Sequence, residues 1–191
     1  MVKLTGLKKV KTAVFISGKG SNLKNLIKFS KSKKSPITID LIVSNKSQAK
    51  GLKYANQYRI KKKIFNFSKK TYEKNNLLFL KKNKITLICL AGFMKILSKN
   101  FIKKFQGKII NIHPSLLPKY KGLNTHIRAL KRSEKFAGCT VHYVTSKLDS
   151  GKIILQKKVK ISEKDNHISL ARKVLKKEHL IYPAAIMKIL T

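Results

Sequence analysis

Asn111 and His113 stand two residues apart in the stretch Asn111-Ile112-His113-Pro114-Ser115-Leu116-Leu117-Pro118. An amide donates hydrogen bonds without changing charge, and an imidazole exchanges protons near neutral pH. Together they can stabilise negative charge growing on a carbonyl oxygen and move a proton at the reacting centre. The preceding Lys108-Ile109-Ile110 is a short β-type run. A strand turns residues i and i+2 to the same face, so the spacing predicts that both side chains point the same way. Pro114 and Pro118 stiffen the exit and forbid a simple helical continuation. A strand-end turn with one satisfied histidine would explain the pair alone, so the surroundings decide.

A second stretch with chemistry is Gly18-Lys19-Gly20-Ser21-Asn22. It follows a predicted strand, Val10 to Ser17, whose buried part is Ala13 to Ile16. Ser21 or Asn22 can cap a helix with Leu23, Leu26 and Ile27 on its inner face. Strand, glycine turn and helix N-terminus make an anion cradle. Leu23 stands where a dinucleotide fingerprint needs its third glycine. The next strand ends in Ser44 and Asn45 where a ribose-binding acid would be, and Walker-A spacing is absent. The cradle therefore fits one phosphate and neither NAD nor ATP; an ordinary tight strand-to-helix turn is the alternative reading.

Composition narrows the field. The 191 residues suffice for one sizeable core, and 42% hydrophobic content excludes a disordered basic tail. No apolar run reaches the ~18 residues of a membrane span, and Ala13 to Ile16 is too short for a signal peptide. Cys89 and Cys139 make neither a disulfide framework nor a metal quartet, and Cys89 is expected to be a buried, inert thiol. A cytoplasmic protein is expected. The net charge of +38 suggests nucleic-acid binding, but only four of the 45 basic residues are arginine. Duplex-reading surfaces favour arginine for its bidentate contacts. The lysines are spread along the chain, and Lys, Asn and Ile share A/T-rich codons, so biased codon usage on solvated surfaces explains them better. The field would still draw in anionic substrates. Asp and Glu together number only seven, so an acid beside a motif is less readily dismissed as surface filler.

The remaining elements must position these groups. Strands are predicted at Ile37 to Val43, Lys63 to Phe67, Ile85 to Leu90, Lys108 to Ile112, Gly138 to Val144 and Ile153 to Val159. Helices are predicted at Gln48 to Tyr58, Thr71 to Lys81, from Ser98, up to about Lys131, and from Ser162 to Lys177. The last carries inward Ile168, Ala171, Val174 and Leu175 and continues past Pro183 to Leu190. The alternation implies an α/β fold: a single domain with a Rossmann-like, mostly parallel central sheet flanked by helices, and an antiparallel strand near the C-terminal half. Ala91 to Leu97 leaves a parallel strand at its carboxyl end, where it can wall a pocket for a flat ligand; core packing explains it equally well. His142 reads as a packed or edge histidine. Asp149 lies in the loop Thr145 to Gly151.

Six stretches, between Val14 and Pro183, carry a resemblance: ISGKGSN, IVSNKSQAKGL, LAGFMKILS, IINIHPSLLPKYKGLNTH, GCTVHYVTSKLDSG and EHLIYP. Together they closely resemble the phosphoribosylglycinamide formyltransferases, folate-dependent enzymes of purine synthesis. The resemblance implies transfer of a formyl group from 10-formyltetrahydrofolate, a co-substrate, to the amine of glycinamide ribonucleotide, without a metal. It places Asn111, His113 and Asp149 on the catalytic trio. Gly20, Ser21 and Asn22 fall on the substrate phosphate loop and Glu178 on a substrate-contacting acid. Met94, Lys95, Ile96 and Leu97, with Asn111, fall on folate contacts. Lys69 stands where relatives usually have an arginine near the folate tail.

It divides the single domain 1–191 into a phosphate-binding βαβ half, 10–100, and a catalytic, folate-contacting half, 101–191. Ser150 replaces a glycine, Leu175 replaces a polar contact, and a C-terminal tail of many relatives is expected to be missing. In this reading Asp149 favours the charged form of His113 by Coulomb attraction and can position a water that relays the proton. The implied partners are small-molecule substrates, with no specific nucleic acid and no membrane, for a monomer or homodimer. Methionyl-tRNA formyltransferase shares the Asn-x-His and Asp logic and would suit the positive field, but the chain leaves no room for a second RNA-binding domain. A formyltetrahydrofolate hydrolase fits less well, because no regulatory domain precedes Val10. From a different class, a basic nucleic-acid-binding module would leave Asn111, His113 and Asp149 unexplained.

Overall fold

The computed structural model describes residues 9–67 and 70–191. Seven strands form one sheet: β1 (Val10–Ile16), β2 (Ile37–Ser44), β3 (Lys61–Ile64), β4 (Leu87–Leu90), β5 (Lys108–His113), β6 (Phe136–Tyr143) and β7 (Ile153–Lys160). Their order is β3-β2-β1-β4-β5-β6-β7. β1 to β5 run parallel; β6 is antiparallel to both neighbours, so it alone is reversed. The chain reverses its direction of sheet growth between β1 and β4, which makes the carboxyl ends of these strands a topological switch point. The helices are α1 (Ser21–Ser30), α2 (Lys53–Gln57), α3 (Lys70–Lys82), α4 (Lys99–Lys104), α5 (Thr125–Lys131) and α6 (His167–Leu190).

The period-two pattern of the central strands feeds two cores. Val14, Ile16, Leu87, Cys89, Ile110 and Ile112 join the layer packed on α1 and α6. Ala13, Phe15, Ile88, Leu90 and Ile109 join a layer that contains Leu80 of α3 and Phe101 of α4. Strands covered on both faces read as continuous apolar runs, which is why β1 and β4 are legible in the sequence. Both cysteines are free and buried, and burial pushes each thiol up to about 12.

Several expectations need correction. β3 is Lys61–Ile64, an exposed edge, and the buried Phe65 follows it. The helix predicted over 48–58 is a short 3-10 turn, Lys50–Leu52, followed by the five-residue α2. Gly51 is drawn against the glycine turn there, with its N–H donating to the Gly18 carbonyl at 2.9 Å. α6 begins at His167, where Asn166 forms a capping box with Ser169. Its buried stripe is Leu170, Val174, Glu178, Ile181, Tyr182, Ala185 and Ile186. Of the four residues predicted to face inward only Val174 is fully buried, and Ile168 is exposed. The stripe is rotated because the sheet, and not the first apolar residue, sets the contact face.

Pro183 lies inside α6, where it cannot donate to the carbonyl of His179 one turn earlier. Asn25 of α1 supplies the donor instead, its Nδ2 lying 2.7 Å from the His179 oxygen. A second amide on α1, Asn22, donates to Glu178 Oε2 at 2.7 Å. Two side chains of one helical face thus join α1 to α6.

Candidate active site

β5 delivers Asn111 and His113 at its carboxyl end, beside the end of β4, where Leu90 pairs with Asn111. Across β6, Asn111 lies opposite His142 and His113 opposite Thr140. Thr140 is fully buried and braces the turn after His113. Its hydroxyl donates to the Ser115 carbonyl at 2.6 Å and accepts from the Leu117 N–H at 3.1 Å. Gln156 of β7 donates to the Leu117 carbonyl at 2.8 Å. The proline-containing turn is therefore fixed by two neighbouring strands as well as by its own stiffness.

Asp149 reaches this point from the β6–β7 loop in a left-handed backbone conformation, φ 44°. Its Oδ2 accepts from the Gly122 N–H at 2.8 Å and lies 3.4 Å from His113 Nδ1. Its Oδ1 lies 3.6 Å from His142 Nε2. His113 Nε2 is 2.9 Å from the Tyr120 carbonyl. A carbonyl only accepts, so Nε2 carries a proton and Nδ1, beside Asp149, is the nitrogen that titrates.

The structure adds His142, which is 2% exposed. Its Nδ1 lies 2.8 Å from the Tyr143 carbonyl, which leaves Nε2 to accept from Asn111 Nδ2 at 3.2 Å. That contact fixes which end of the Asn111 amide points into the site and leaves its second N–H available. Sequence reading set His142 aside because its partner, Asn111, is 31 positions away. The signal was the alternation of Thr140 and His142 on one face, which becomes informative only once β6 is paired with β5.

Burial lowers His113 below the usual imidazole value, and it outweighs the opposing pull of the Tyr120 carbonyl and Asp149. Asp149 favours the charged form by Coulomb attraction, as expected, but burial, which the sequence does not reveal, is the larger effect. Burial works to raise Asp149, but the Gly122 N–H and the nearby His113 oppose it, and its carboxyl stays below the ordinary value. The proton on His113 is thus weakly held in a site whose carboxylate stays ionised.

The glycine turn after β1 sits at the same edge of the sheet. Gly20, not Ser21 or Asn22, precedes α1, with φ 75° and no side-chain cap. A left-handed residue with no Cβ is needed there, because a Cβ would meet the Gly51 Cα at 2.8 Å. The Lys24 N–H makes the first helical bond to Gly20, so the N–H groups of residues 21–23 have no carbonyl behind them in the helix. Asn22 and Glu178 are buried side by side, and Asn22 Oδ1 has no partner. Burial raises the Glu178 carboxyl above its usual value, with the Asn22 hydrogen bond opposing.

The loop after β4 is tied to β1 through Ser17, whose hydroxyl accepts from the Met94 N–H at 2.7 Å and donates to Asn45 at 2.6 Å. Met94 and Ile96 are 60% and 69% exposed and Lys95 is exposed, so all three are free to meet a ligand. Leu97 is 3% exposed within the core shared with α4, so its side chain anchors the loop and does not line a pocket. Lys69 lies outside the described residues. Ser150 is exposed and accepts from Lys121 Nζ at 2.6 Å; Leu175 is partly buried on α6. A cavity of about 670 Å³ between α3 and α4 lies by the amino ends of β4 and β5 and contains none of these residues.

Among the described residues no group of three or more His, Cys, Asp or Glu could hold a metal ion, and no helix is long and apolar enough to cross a membrane.

The formyl transferase family model matches residues 10–186. A phosphoribosylglycinamide formyltransferase of Haemophilus influenzae is 42% identical over 181 residues, covering 92% of this chain and 85% of that protein. The human trifunctional purine biosynthetic protein adenosine-3 is 43% identical over 186 residues, but the chain spans only 18% of its length. The crystal structure of phosphoribosylglycinamide formyltransferase from Brucella melitensis superimposes with a TM-score of 0.91 at 42% identity, covering 96% of this chain and 97% of that one.

Proposed function

This chain belongs to the formyl transferase family, and from that premise we propose that it moves a formyl group from 10-formyltetrahydrofolate to the amine of 5'-phosphoribosylglycinamide, in purine biosynthesis. The products are N-formylglycinamide ribonucleotide and tetrahydrofolate. The observation that carries the proposal is the gathering of Asn111, His113, His142 and Asp149, each within 3.6 Å of another, at the carboxyl end of β5.

The residues present fit the two substrates. The unpaired N–H groups of residues 21–23 suit a phosphate at the start of α1. Glu178, beside Asn22, offers a carboxylate to hydroxyl donors. Exposed Met94 and Ile96, at the switch point, offer apolar surface to a flat ring system. When bound, the formyl-folate supplies an activated formyl group on a weakly basic nitrogen.

As the neutral amine attacks the formyl carbon, negative charge grows on the formyl oxygen. Asn111 donates its free amide N–H to that oxygen, an interaction worth roughly 3–4 kcal/mol when preorganised. His113, protonated at Nδ1, donates to the same oxygen, and such proton-transfer roles typically contribute ~10²–10⁴ in rate. Asp149 stabilises the imidazolium as it forms. The amine loses one proton and the departing folate nitrogen gains one, so no net proton is consumed. Because burial weakens the hold of His113 on its proton, the imidazole can give it up within the cycle.

The test is an assay of purified protein with glycinamide ribonucleotide and 10-formyltetrahydrofolate, and separately with methionyl-tRNA. Formylation of the ribonucleotide alone is expected. Formylation of the tRNA alone would overturn the proposal.

A further inference from the structure

We propose that Glu134 is a positioning residue, which clasps Tyr120 so that the Tyr120 carbonyl holds His113 in its working tautomer. The role rests on the formyl transfer proposed above. The Tyr120 backbone is left-handed, φ 57°, a conformation that a non-glycine residue adopts only when its surroundings hold it. Its carbonyl is the partner of His113 Nε2 at 2.9 Å. Ser115 Oγ donates to the Lys119 carbonyl at 2.7 Å and holds the peptide before it, while the side chains of Lys119 and Tyr120 converge on one carboxylate. The Tyr120 hydroxyl donates to Glu134 Oε1 at 2.7 Å. The preceding Lys119 donates from Nζ to both Glu134 oxygens, at 2.8 and 3.0 Å. The Tyr120 ring also lies 5.1 Å from the Arg128 guanidinium and 5.9 Å from that of Arg132.

Tyr120 is buried, but packing covers the segment on one side only. A cavity of about 620 Å³ backs the segment, bordered by Pro114, Tyr120, His126 and Glu134 among others. A loop that borders an open cleft on one side is held by its polar contacts as well as by packing. Glu134 is one of only seven acids in the chain, and it is spent on two consecutive residues of this loop. The groups facing His113 are Asp149 from the β6–β7 loop, His142 from β6, Arg128 and His126 from α5, and the Tyr120 carbonyl. Among these, the Tyr120 carbonyl is the hydrogen-bond partner of Nε2. If it swings away, the neutral ring is free to place its proton on Nδ1, where it cannot accept one.

The experiment is ¹⁵N NMR of the histidine rings in the full chain, with His113 assigned by its absence from His113→Asn. In the unmodified protein, neutral His113 is expected as the Nε2–H tautomer. Glu134→Ala and Tyr120→Phe are expected to admit the Nδ1–H tautomer and to lower the His113 titration midpoint, because the bond to Tyr120 favours the charged ring. Glu134→Gln still accepts from the Tyr120 hydroxyl and is expected to restore most of the Nε2–H form. In the transfer assay, Glu134→Ala is expected to lower kcat about tenfold with KM nearly unchanged, the scale of loss when a partner that orients a working imidazole is removed. A purely structural Glu134 would lower the Tm and leave the tautomer alone. If Glu134→Ala does not fold, Tyr120→Phe carries the test. An unchanged tautomer and midpoint in Tyr120→Phe, and in Glu134→Ala where it folds, overturns the proposal. The NMR measurement needs no substrate, so it stands even if the transfer assay fails.

Discussion

His113 is pulled in two directions, and the balance sets how it can be tested. The residue is 5% exposed, so burial opposes the charged form that a proton donor must reach. Asp149 opposes that effect from 3.4 Å. Replacing Asp149 with Asn removes the attraction, so the limb of the kcat–pH profile that reports His113 is expected to move to lower pH as kcat falls. A profile that stays in place would make Asp149 structural only. His113→Ala is expected to abolish turnover with the far-ultraviolet circular dichroism unchanged, and retained activity would remove it as the acid. Asn111, His113 and Asp149 were legible as chemical types in the sequence. His142 was not, because a histidine on a strand acquires meaning only from what the neighbouring strand places opposite it.

At the scale of elements, two helices in contact carry both halves of the proposed ligand site. α1 supplies the free N–H groups and α6 supplies Glu178, and Asn22 and Asn25 tie them together. Asn25→Ala leaves the His179 carbonyl, already without its helical partner because of Pro183, with no donor. A part-buried orphan of this kind costs about 1–3 kcal/mol, so a lower midpoint in urea unfolding is expected. An unchanged midpoint would mean that water replaces Asn25 fully. Gly20→Ala is expected to cost about 1–2 kcal/mol for the left-handed backbone alone, with a further penalty from Gly51, and to raise KM for the phosphorylated substrate. The central strands were legible because burial on both faces writes a continuous apolar run. β3 was not, since its Lys61-Lys62-Lys63 has no core side. The cluster Phe65, Phe67, Phe15, Phe79 and Phe93 beyond its end drew the reading forward.

For the whole molecule, the charge of +38 is barely offset. Among the described residues only Lys119 and Lys173 of the lysines form ion pairs with acids, and so many remaining like charges destabilise a compact state. Raising salt from about 0.05 M to about 0.5 M shortens the Debye length to well under ~10 Å and is expected to raise the Tm. A Tm that falls with salt would show that pairing outweighs repulsion. The pH response has a definite sign. Burial holds His113, His126 and His179 below the ordinary imidazole value of 6.5. The unfolded chain therefore takes up protons first as pH falls, and stability is expected to decline from about pH 6.5 downward. Glu178, raised by burial, acts in the opposite direction. Thermal unfolding at pH 7.5 and 6 checks this, and a rise on acidification would contradict it.

The sequence by itself determined the α/β class, the motifs and the resemblance, because apolar periodicity and short motifs are local properties of the chain. Only the tertiary structure decided that His142 orients Asn111, that Glu178 lies on the buried face of α6, and that burial outweighs Asp149 in setting the proton affinity of His113. Those outcomes depend on strand register, helix rotation and exclusion of water, each fixed by contacts between residues far apart in the chain.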